Sequence, residues 1–335
     1  MKIESRIEAF KKLGQKFGRL TDEDFQQFEA QAFPHNRWFI KDSIAKAFKG
    51  LTLMLADNKL DQWVESYQLQ PEVPKIIGIV MAGNIPLVGF HDLMSVLVSG
   101  HVAAVKMSSQ DEVLMKLVID WLQEIEPRFK KSLQIRERLT DVDAVIATGS
   151  DNTARYFEYY FGKIPHIIRK NRTSVAVLDG KESQEEIQKL GRDIYDYFGL
   201  GCRNVSKLYL PENLDFTHLL DSWQDYSHLL ENSKYKNNYD YHKSIALVNG
   251  EDHLDTGFAL FKPSQDLVSP TSVVYLEKYP DKDLVMNALE SNKSKIQCII
   301  GHKEIRGAIP FGTAQVPELW DYADGVDTLS FLSSL

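Results

Sequence analysis

The apolar positions of the chain follow two patterns. In residues 1–20 they fall on one helical face among mixed charges, which is typical of a packed helix and not of a signal peptide. From residue 75 the pattern changes to short apolar runs, each followed by a helical segment. The runs that predict strands are residues 76–81, 102–105, 142–147, 167–168 and 175–178. Such alternation predicts a parallel sheet covered on both faces, so we expect a doubly wound α/β lobe over residues 70–180.

A second α/β series follows Gly180. Its predicted elements are helices over residues 182–198 and 216–230, strands over residues 205–210, 245–248, 273–276 and 296–300, and surface loops over residues 232–242 and 307–317. We therefore predict two lobes, one over residues 1–180 with the N-terminal helices and one over residues 181–335 with the C-terminal segment. A cleft between two such lobes is the expected place for a ligand.

Composition and charge exclude several classes of protein. Hydrophobic residues make up 43% and charged residues 26% of the 335 residues, which are ordinary globular values, and no apolar run is long enough to span a bilayer. A net charge of −8 argues against nucleic acid as the main partner. Two cysteines give no disulfide framework and predict a cytoplasmic protein. Because His91, His101 and His166 lack the spacing of metal ligands, we predict no metal site.

Three polar residues lie within three residues of the ends of predicted strands of the first lobe: Asn84, Lys106 and Ser150. Ligands of doubly wound sheets bind at the carboxyl ends of the strands. Each residue also has a local explanation, because Asn84 precedes Pro86 in a turn, Lys106 could be solvated and Ser150 could open the next helix. Their coincidence at successive strand ends favours a ligand site.

The most reactive side chain that the sequence indicates is Cys202. Gly199 and Gly201 permit positive φ angles and a close approach of substrate, and Arg203 favours the thiolate. The alternative is that Cys202 is a small buried apolar residue. We assign that structural role to the other cysteine, Cys298, which lies within an apolar strand pattern.

Four motifs together resemble a known family. They are Val-Met-Ala-Gly-Asn-Ile-Pro at residues 80–86, Val-Lys-Met-Ser-Ser at 105–109, Ala-Thr-Gly-Ser at 147–150 and Gly-Cys-Arg at 201–203. Their order and spacing resemble the aldehyde dehydrogenase superfamily and, within it, the acyl-CoA reductase branch that includes LuxC-type fatty acyl-CoA reductases. The resemblance covers roughly residues 70–335. It implies an aldehyde-dehydrogenase-like α/β fold, with a doubly wound cofactor lobe, a catalytic lobe and the active site in the cleft between them.

The resemblance also implies roles for individual residues. Cys202 takes the place of the family's nucleophile and Asn84 that of its oxyanion-hole asparagine. The residues implied to bind the cofactor are Lys106 at the adenosine ribose, with Ser108 and Ser109, and Gly149 and Ser150 at the pyrophosphate, with Thr148.

Two departures from the superfamily pattern bear on the reaction. The glutamate that activates water in aldehyde-oxidising members is matched here by Ile168, so an acyl-enzyme would survive to exchange with a thiol or accept a hydride. A misalignment is the alternative, because Glu158 and Asp179 flank this region. Ser109 stands where many NAD-preferring members carry a glutamate, so NADP(H) is expected in preference to NAD(H).

The predicted function is therefore the NADPH-dependent reduction of an acyl-CoA thioester to an aldehyde through a covalent acyl-cysteine. The resemblance implies a homo-oligomer, and the acyl chain length stays open. One alternative is an acyl-phosphate reductase of the same superfamily. Another is a nicotinamide-independent cysteine acyltransferase of thiolase type, suggested by Cys202 together with Gly301-His302.

Overall fold

The chain divides into two units, each with its own β-sheet. The structure is a computed structural model that describes residues 1–335, except for the side chains of Asp57 and Asp151. The first unit comprises Met1–Asn171 together with Pro317–Leu335, and the second comprises Arg172–Val316.

Eleven α-helices and twelve β-strands lie in the described part of the chain. The helices are α1 (Ile3–Phe17), α2 (Asp22–Ala32), α3 (Lys41–Met54), α4 (Asp57–Val64), α5 (Phe90–Ser99), α6 (Glu112–Ile125), α7 (Asp151–Phe161), α8 (Gln184–Tyr195), α9 (Ser233–Asn249), α10 (Lys282–Ser291) and α11 (Thr328–Ser333). The strands are β1 (Ile76–Val80), β2 (Val102–Lys106), β3 (Leu133–Ile135), β4 (Ala144–Thr148), β5 (His166–Arg169), β6 (Thr173–Val177), β7 (Val205–Pro211), β8 (Leu254–Asp255), β9 (Leu260–Pro263), β10 (Val273–Tyr279), β11 (Ile296–Gly301) and β12 (Ala308–Ile309). The 3₁₀ helices are Pro127–Lys131, Asp196–Gly199, Thr217–Glu231, Lys293–Lys295 and Ala323–Gly325.

The first unit is built on a five-stranded sheet in the order β3-β2-β1-β4-β5, with every neighbouring pair parallel. From β1 the chain winds outwards to β3 and then returns to β4 on the other side of β1. This reversal is the topological switch point at which such sheets bind ligands. The predicted doubly wound α/β lobe is thus confirmed.

The N-terminal helix has the predicted stripe. The residues Ile7, Phe10, Leu13 and Phe17 of α1 are buried, and the ring of Phe10 meets that of Phe90 edge to face, with 6.2 Å between their centroids. Burial of this stripe explains why the segment is a packed helix. Among the residues that the structure describes, no helix combines the length and apolar character that crossing a bilayer requires.

The second unit contains a seven-stranded sheet in the order β12-β11-β6-β7-β10-β9-β8. All described pairs are parallel except β8 and β9. Regular pairing is interrupted on both sides of β6, against β7 at Ser174 and Val175 and against β11 between Ile296 and Ile299. β-Bulges of this kind redirect side chains and are common beside active sites.

The predicted boundary between the lobes is at residue 180, whereas in the structure the first unit ends at Asn171 and the second begins at Arg172. β5 and β6 pair in different sheets although only residues 170–172 separate them. Two apolar strands so close in sequence carry no signal of that separation. Residues 317–335 also belong to the first unit, and not with residues 181–316 as predicted.

The predicted loop over residues 232–242 and strand over residues 245–248 are wrong, because the structure has the single helix α9 there. The side chain of Asn232 caps this helix by accepting hydrogen bonds from the backbone N–H groups of Lys234 and Tyr235. Tyr235 and Tyr239 are spaced by four residues and are both buried, so tyrosines that suggested a loop form the packed face of the helix.

Candidate active site

The predicted oxyanion-hole asparagine and the predicted cofactor residues lie at the carboxyl edge of the first sheet. Lys106 ends β2, Asn84 lies in the loop after β1, and Thr148 ends β4. Val80, the last residue of β1, pairs with Lys106 on one side and with Ala147 on the other. The structure therefore brings these residues to adjacent strand ends at the switch point. The side chains of Asn84 and Lys106 are exposed there.

The loop that carries Asn84 is held from two directions. The side-chain amide of Asn36 donates a hydrogen bond to the carbonyl of Gly83 (3.0 Å), and Asp111 Oδ2 accepts one from the backbone N–H of Leu87 (2.7 Å). A Cβ at Gly83 would lie 2.5 Å from the hydroxyl oxygen of Ser108, so only glycine fits. Asn36 and Asp111 were not predicted, because their partners lie far away in the sequence.

Asp111 stabilises a strained backbone. Leu87 has a φ of 59°, in the left-handed region that non-glycine residues rarely adopt. Burial raises the pKa of Asp111 well above its usual value, although the hydrogen bond from Leu87 opposes the shift. Its second oxygen, Oδ1, is buried without a hydrogen-bond partner. This buried carboxyl group therefore acts as a fixed acceptor under the Asn84 loop.

The segment after β4 has a structural explanation as well as the predicted one. A Cβ at Gly149 would lie 2.9 Å from the ring of Phe157, so α7 packs against a position that requires glycine. The hydroxyl of Ser150 accepts a hydrogen bond from the backbone N–H of Thr153 (3.2 Å) and caps α7. The local role considered for Ser150 is thus present, and its role at the pyrophosphate stays a prediction.

The other predicted cofactor residues follow β2. Ser108 is half-buried and its hydroxyl accepts a hydrogen bond from the backbone N–H of Gln110 (3.3 Å), whereas Ser109 is exposed. The exposed ends of Lys106 and Ser109 are therefore accessible to a ligand at this edge.

Cys202 lies in a loop of left-handed residues. Tyr197 (φ 54°), Phe198 (φ 61°), Gly199 (φ 72°) and Gly201 (φ 96°) all have positive φ. Each non-glycine residue in this conformation costs about 1–2 kcal/mol. Tyr197 and Phe198 are both buried, so packing holds them there. Strain of this kind is typical of functional sites.

The Cys202 loop is attached to the first residues of β6. The hydroxyl of Ser174 donates a hydrogen bond to the carbonyl oxygen of Cys202 (3.0 Å), and the backbone N–H of Ser174 donates one to the carbonyl of Asn204 (2.9 Å). Ser174 is completely buried, whereas Cys202 is half-buried. The carbonyl side of Cys202 is therefore fixed while part of the residue stays accessible.

Cys298 lies in β11, as predicted, but it also contacts this loop. Its sulfur is 3.0 Å from the hydroxyl oxygen of Ser174, which also accepts a hydrogen bond from the backbone N–H of Cys298 (3.2 Å). Burial raises the pKa of Cys298 to about 11. The only two cysteines of the chain thus meet at one serine.

His302 is occupied by carboxylates. Its Nδ1 lies 3.2 Å from Asp179 and its Nε2 lies 3.2 Å from Glu186. Burial lowers the pKa of His302, but Asp179 and Glu186 outweigh this effect and raise it. Both ring nitrogens are therefore engaged, and neither is available to take the proton of Cys202.

The same cluster has ligand atoms within metal-binding range of one another. Atoms of Asp179, Glu182 and His302 lie within 4.8 Å of one another, but Lys282 already places its ammonium 3.1 Å from Asp179. We assign the cluster as an ion-pair network. Glu158, the other carboxylate that flanks Ile168 in sequence, lies 3.7 Å from His166.

Solved structures with the same architecture are aldehyde dehydrogenases. Aldehyde dehydrogenase 21 from Physcomitrella patens, in complex with the reaction product succinate, superposes with a TM-score of 0.68 at 13% identity, covering 100% of this chain and 84% of that one. A mutant of aldehyde dehydrogenase C from Pseudomonas syringae, complexed with NAD+ and octanal, gives 0.66 at 9% identity and coverages of 92% and 74%. An aldehyde dehydrogenase from Mycobacterium tuberculosis, complexed with NAD+, gives 0.62 at 11% identity and coverages of 86% and 70%. The fold is therefore that of an aldehyde dehydrogenase.

A family model identifies the branch. The model of the acyl-CoA reductase (LuxC) family matches residues 19–302, so the chain belongs to that family. The curated proteins include no match to the sequence. The protein is an oxidoreductase of the aldehyde-dehydrogenase type that acts on acyl or aldehyde groups.

Proposed function

We propose that the protein reduces an acyl-CoA thioester to an aldehyde with NADPH, through a thioester on Cys202. Family membership supports the reaction class. The observation that carries the proposal is the Cys202 loop itself, with four left-handed residues and a carbonyl fixed by Ser174. A thiol that served only to fill the core would not require this strained and anchored loop.

In the first proposed step the Cys202 thiolate attacks the thioester carbonyl carbon. The resulting oxyanion accepts hydrogen bonds from the Asn84 side chain and from the backbone N–H of Cys202. The carbon–sulfur bond to CoA then breaks, CoA leaves as a thiolate that takes up a proton, and the acyl group remains on Cys202. In the second step the acyl carbon accepts a hydride, and the resulting thiohemiacetal anion on Cys202 collapses to release the aldehyde and restore the Cys202 thiolate.

The residues at the edge of the first sheet fit a dinucleotide. Lys106 and Ser109 are exposed and offer hydrogen-bond donors after β2. The start of α7 offers backbone N–H groups after β4, and both strands neighbour β1 at the switch point. When bound, NADPH supplies the hydride. We propose Lys106, Ser108 and Ser109 at the adenosine ribose and Thr148, Gly149 and Ser150 at the pyrophosphate. Because no carboxylate stands at Ser109, a 2′-phosphate would meet a hydroxyl and a cation in place of repulsion.

The test combines activity with covalent labelling. The purified protein is mixed with NADPH or NADH and a series of acyl-CoAs, and nicotinamide oxidation is followed by absorbance. We expect oxidation that depends on acyl-CoA and is faster with NADPH. Cys202→Ala should abolish it and Cys298→Ala should only slow it, because only Cys202 is proposed to carry the acyl group. An acyl group trapped on the Cys202→Ala protein would assign the nucleophile to another residue.

Two alternatives separate in the same experiment. An acyl-phosphate reductase would oxidise NADPH with an acyl phosphate and would not exchange labelled CoA into acyl-CoA. An acyltransferase of thiolase type would turn over acyl-CoA without nicotinamide. The engagement of both ring nitrogens of His302 argues against the acyltransferase, because that mechanism needs a histidine base for the cysteine. The cytoplasmic location and the homo-oligomer stay predictions.

A further inference from the structure

We propose that Ser174 is a positioning residue for the nucleophile, and that Cys298 orients its hydroxyl. This inference rests on the proposed function, in which Cys202 is the nucleophile. Ser174 touches Cys202 through the carbonyl oxygen and not through the thiol. It would act by fixing the backbone on which the thiol and the N–H of Cys202 are carried.

The hydrogen bonds around Ser174 have one consistent direction. A serine hydroxyl has one proton to donate and two lone pairs that accept. A carbonyl oxygen cannot donate, so the proton of Ser174 points to Cys202. The two lone pairs then accept from the backbone N–H of Cys298 and from its S–H group, which lie 3.2 and 3.0 Å away. The hydroxyl is fully satisfied, and its orientation depends on a protonated thiol at residue 298.

The thiol at residue 298 is protonated under ordinary conditions. Burial raises the pKa of Cys298 to about 11, so its S–H donor is present at neutral pH. A chain of hydrogen bonds therefore runs from Cys298 through Ser174 to Cys202. This arrangement gives Cys298 a part in the site that its apolar strand pattern does not reveal.

The sheet departs from regular pairing around Ser174. On one side the register of β6 with β7 shifts between Ser174 and Val175, and on the other the register with β11 shifts between Ile296 and Ile299, the segment that contains Cys298. Bulges leave residues out of the ladder and re-aim their side chains. The additional residue lies in the neighbouring strands, Ser206 in β7 and one of residues 297–298 in β11, while Ser174 itself pairs with Val205. The irregular pairing therefore re-aims side chains beside Ser174 and not Ser174 itself.

The test compares four variants: Ser174→Ala, Cys298→Ala, Cys298→Ser and Ser206→Ala. Acylation of Cys202 by excess acyl-CoA is measured in a single turnover without nicotinamide, as release of CoA. Loss of one hydrogen bond from the Ser174 hydroxyl should slow acylation roughly fivefold to tenfold, with the concentration dependence on acyl-CoA unchanged. Cys298→Ala should slow it a few-fold, and Cys298→Ser should restore it because a hydroxyl donates from the same place.

Alkylation of Cys202 by iodoacetamide gives a second readout, with the modified cysteine identified by peptide mass spectrometry. This reaction needs an accessible Cys202 thiolate and no oxyanion site, and a loop released from Ser174 exposes the sulfur more often. Ser174→Ala should therefore accelerate alkylation of Cys202 while it slows acylation.

Ser206→Ala is the matched control. Ser206 is also a buried serine in this sheet, and its hydroxyl contacts Thr173 (2.7 Å) and donates to the carbonyl of Leu267 (2.6 Å). Thr173 also donates to the carbonyl of Asn204 (3.3 Å), and this bond stays available in Ser206→Ala, so the variant leaves the Cys298–Ser174–Cys202 chain intact. Ser206→Ala and Ser174→Ala should both lower the Tm. Ser206→Ala should leave the rates of acylation and alkylation of Cys202 unchanged. The control therefore separates a loss of stability from a loss of positioning.

Three results would overturn the inference: wild-type acylation in Ser174→Ala, equal rates in the two Cys298 variants, or equal effects of Ser174→Ala and Ser206→Ala. If the wild-type protein takes up no acyl group, the proposed function fails. Alkylation still decides the positioning role in that case, because equal reactivity of Cys202 in the wild type and Ser174→Ala would reject it.

Discussion

Asp193 of α8 is a fully buried carboxylate that anchors the segment after β12. Its two oxygens accept hydrogen bonds from the backbone N–H groups of Gly312 (2.6 Å) and Ala314 (2.9 Å). Burial raises the pKa of Asp193 to about 6, although both hydrogen bonds oppose the shift. The folded protein therefore binds a proton on Asp193 more tightly than the unfolded chain does.

This shift makes a prediction about stability and pH. The contribution of Asp193 to the free energy of unfolding is fully present below about pH 4, where both states are protonated, and is lost as pH rises through about 6. Between pH 4 and pH 7 we expect the free energy of unfolding of the wild type to fall by about 2–3 kcal/mol more than that of Asp193→Asn. Urea unfolding at both pH values measures the difference, and Asp221→Asn, an exposed change, serves as the control. Parallel pH profiles for the wild type and Asp193→Asn would refute the assignment.

A sequence pattern predicts the role of a single residue only when that role depends on residues close to it in the sequence. Asn84 and Lys106 are predicted at strand ends because each lies within three residues of the end of an apolar run. Asp193 and Ser174 are not, because each acts on a backbone group distant in sequence, 119 residues away in the case of Asp193 and Gly312. Sequence alone does not distinguish a buried polar side chain from an exposed one, because its hydrogen-bond partner is distant along the chain.

Among the elements, the strands were easier to predict than the helices. Continuous apolar runs identified β1, β2 and β4, because strands buried on both faces have few polar positions. β3 has only three residues and was missed, since so short a strand gives no periodicity. α9 was missed because its packed face uses tyrosines among asparagines and lysines.

The loop after β1 depends on the hydrogen bond between Asp111 and the backbone of Leu87. Asp111→Ala would leave the backbone N–H of Leu87 buried without an acceptor, which should lower the free energy of unfolding by about 1–3 kcal/mol. Asp111→Asn keeps an acceptor and should cost less. Because this loop carries Asn84, we expect kcat to fall in Asp111→Ala while the KM for NADPH stays near the wild-type value.

The control for this prediction is Asp120→Ala, an exposed change in α6, the helix that begins directly after Asp111. Urea unfolding and steady-state kinetics of the three variants provide the measurement. If Asp111→Asn destabilises the protein as much as Asp111→Ala, the acceptor is not what matters at this position.

At the scale of the whole molecule, the C-terminal segment completes the first unit. The guanidinium of Arg169 in β5 is buried and donates hydrogen bonds to Asp92 (2.5 Å) and to the hydroxyl of Thr328 (3.1 Å). His101 contacts the carbonyl of Leu332 through Nε2 (2.9 Å). The predicted boundaries group this segment with residues 181–316 because they are adjacent along the chain, and no sequence pattern shows that the chain goes back to the first unit after residue 316.

Removal of residues 317–335 should therefore destabilise the first unit and not the second. Leu329 and Leu332 are completely buried, so their loss alone should cost at least about 3 kcal/mol, and Arg169 would lose its bond to Thr328. Limited proteolysis of the truncated chain should yield new cleavages within Met1–Asn171 while Arg172–Val316 stays protected. Thr328→Val, which removes only the hydrogen bond, should give the same pattern weakly. New cleavages confined to Arg172–Val316 would instead support the predicted lobe of residues 181–335.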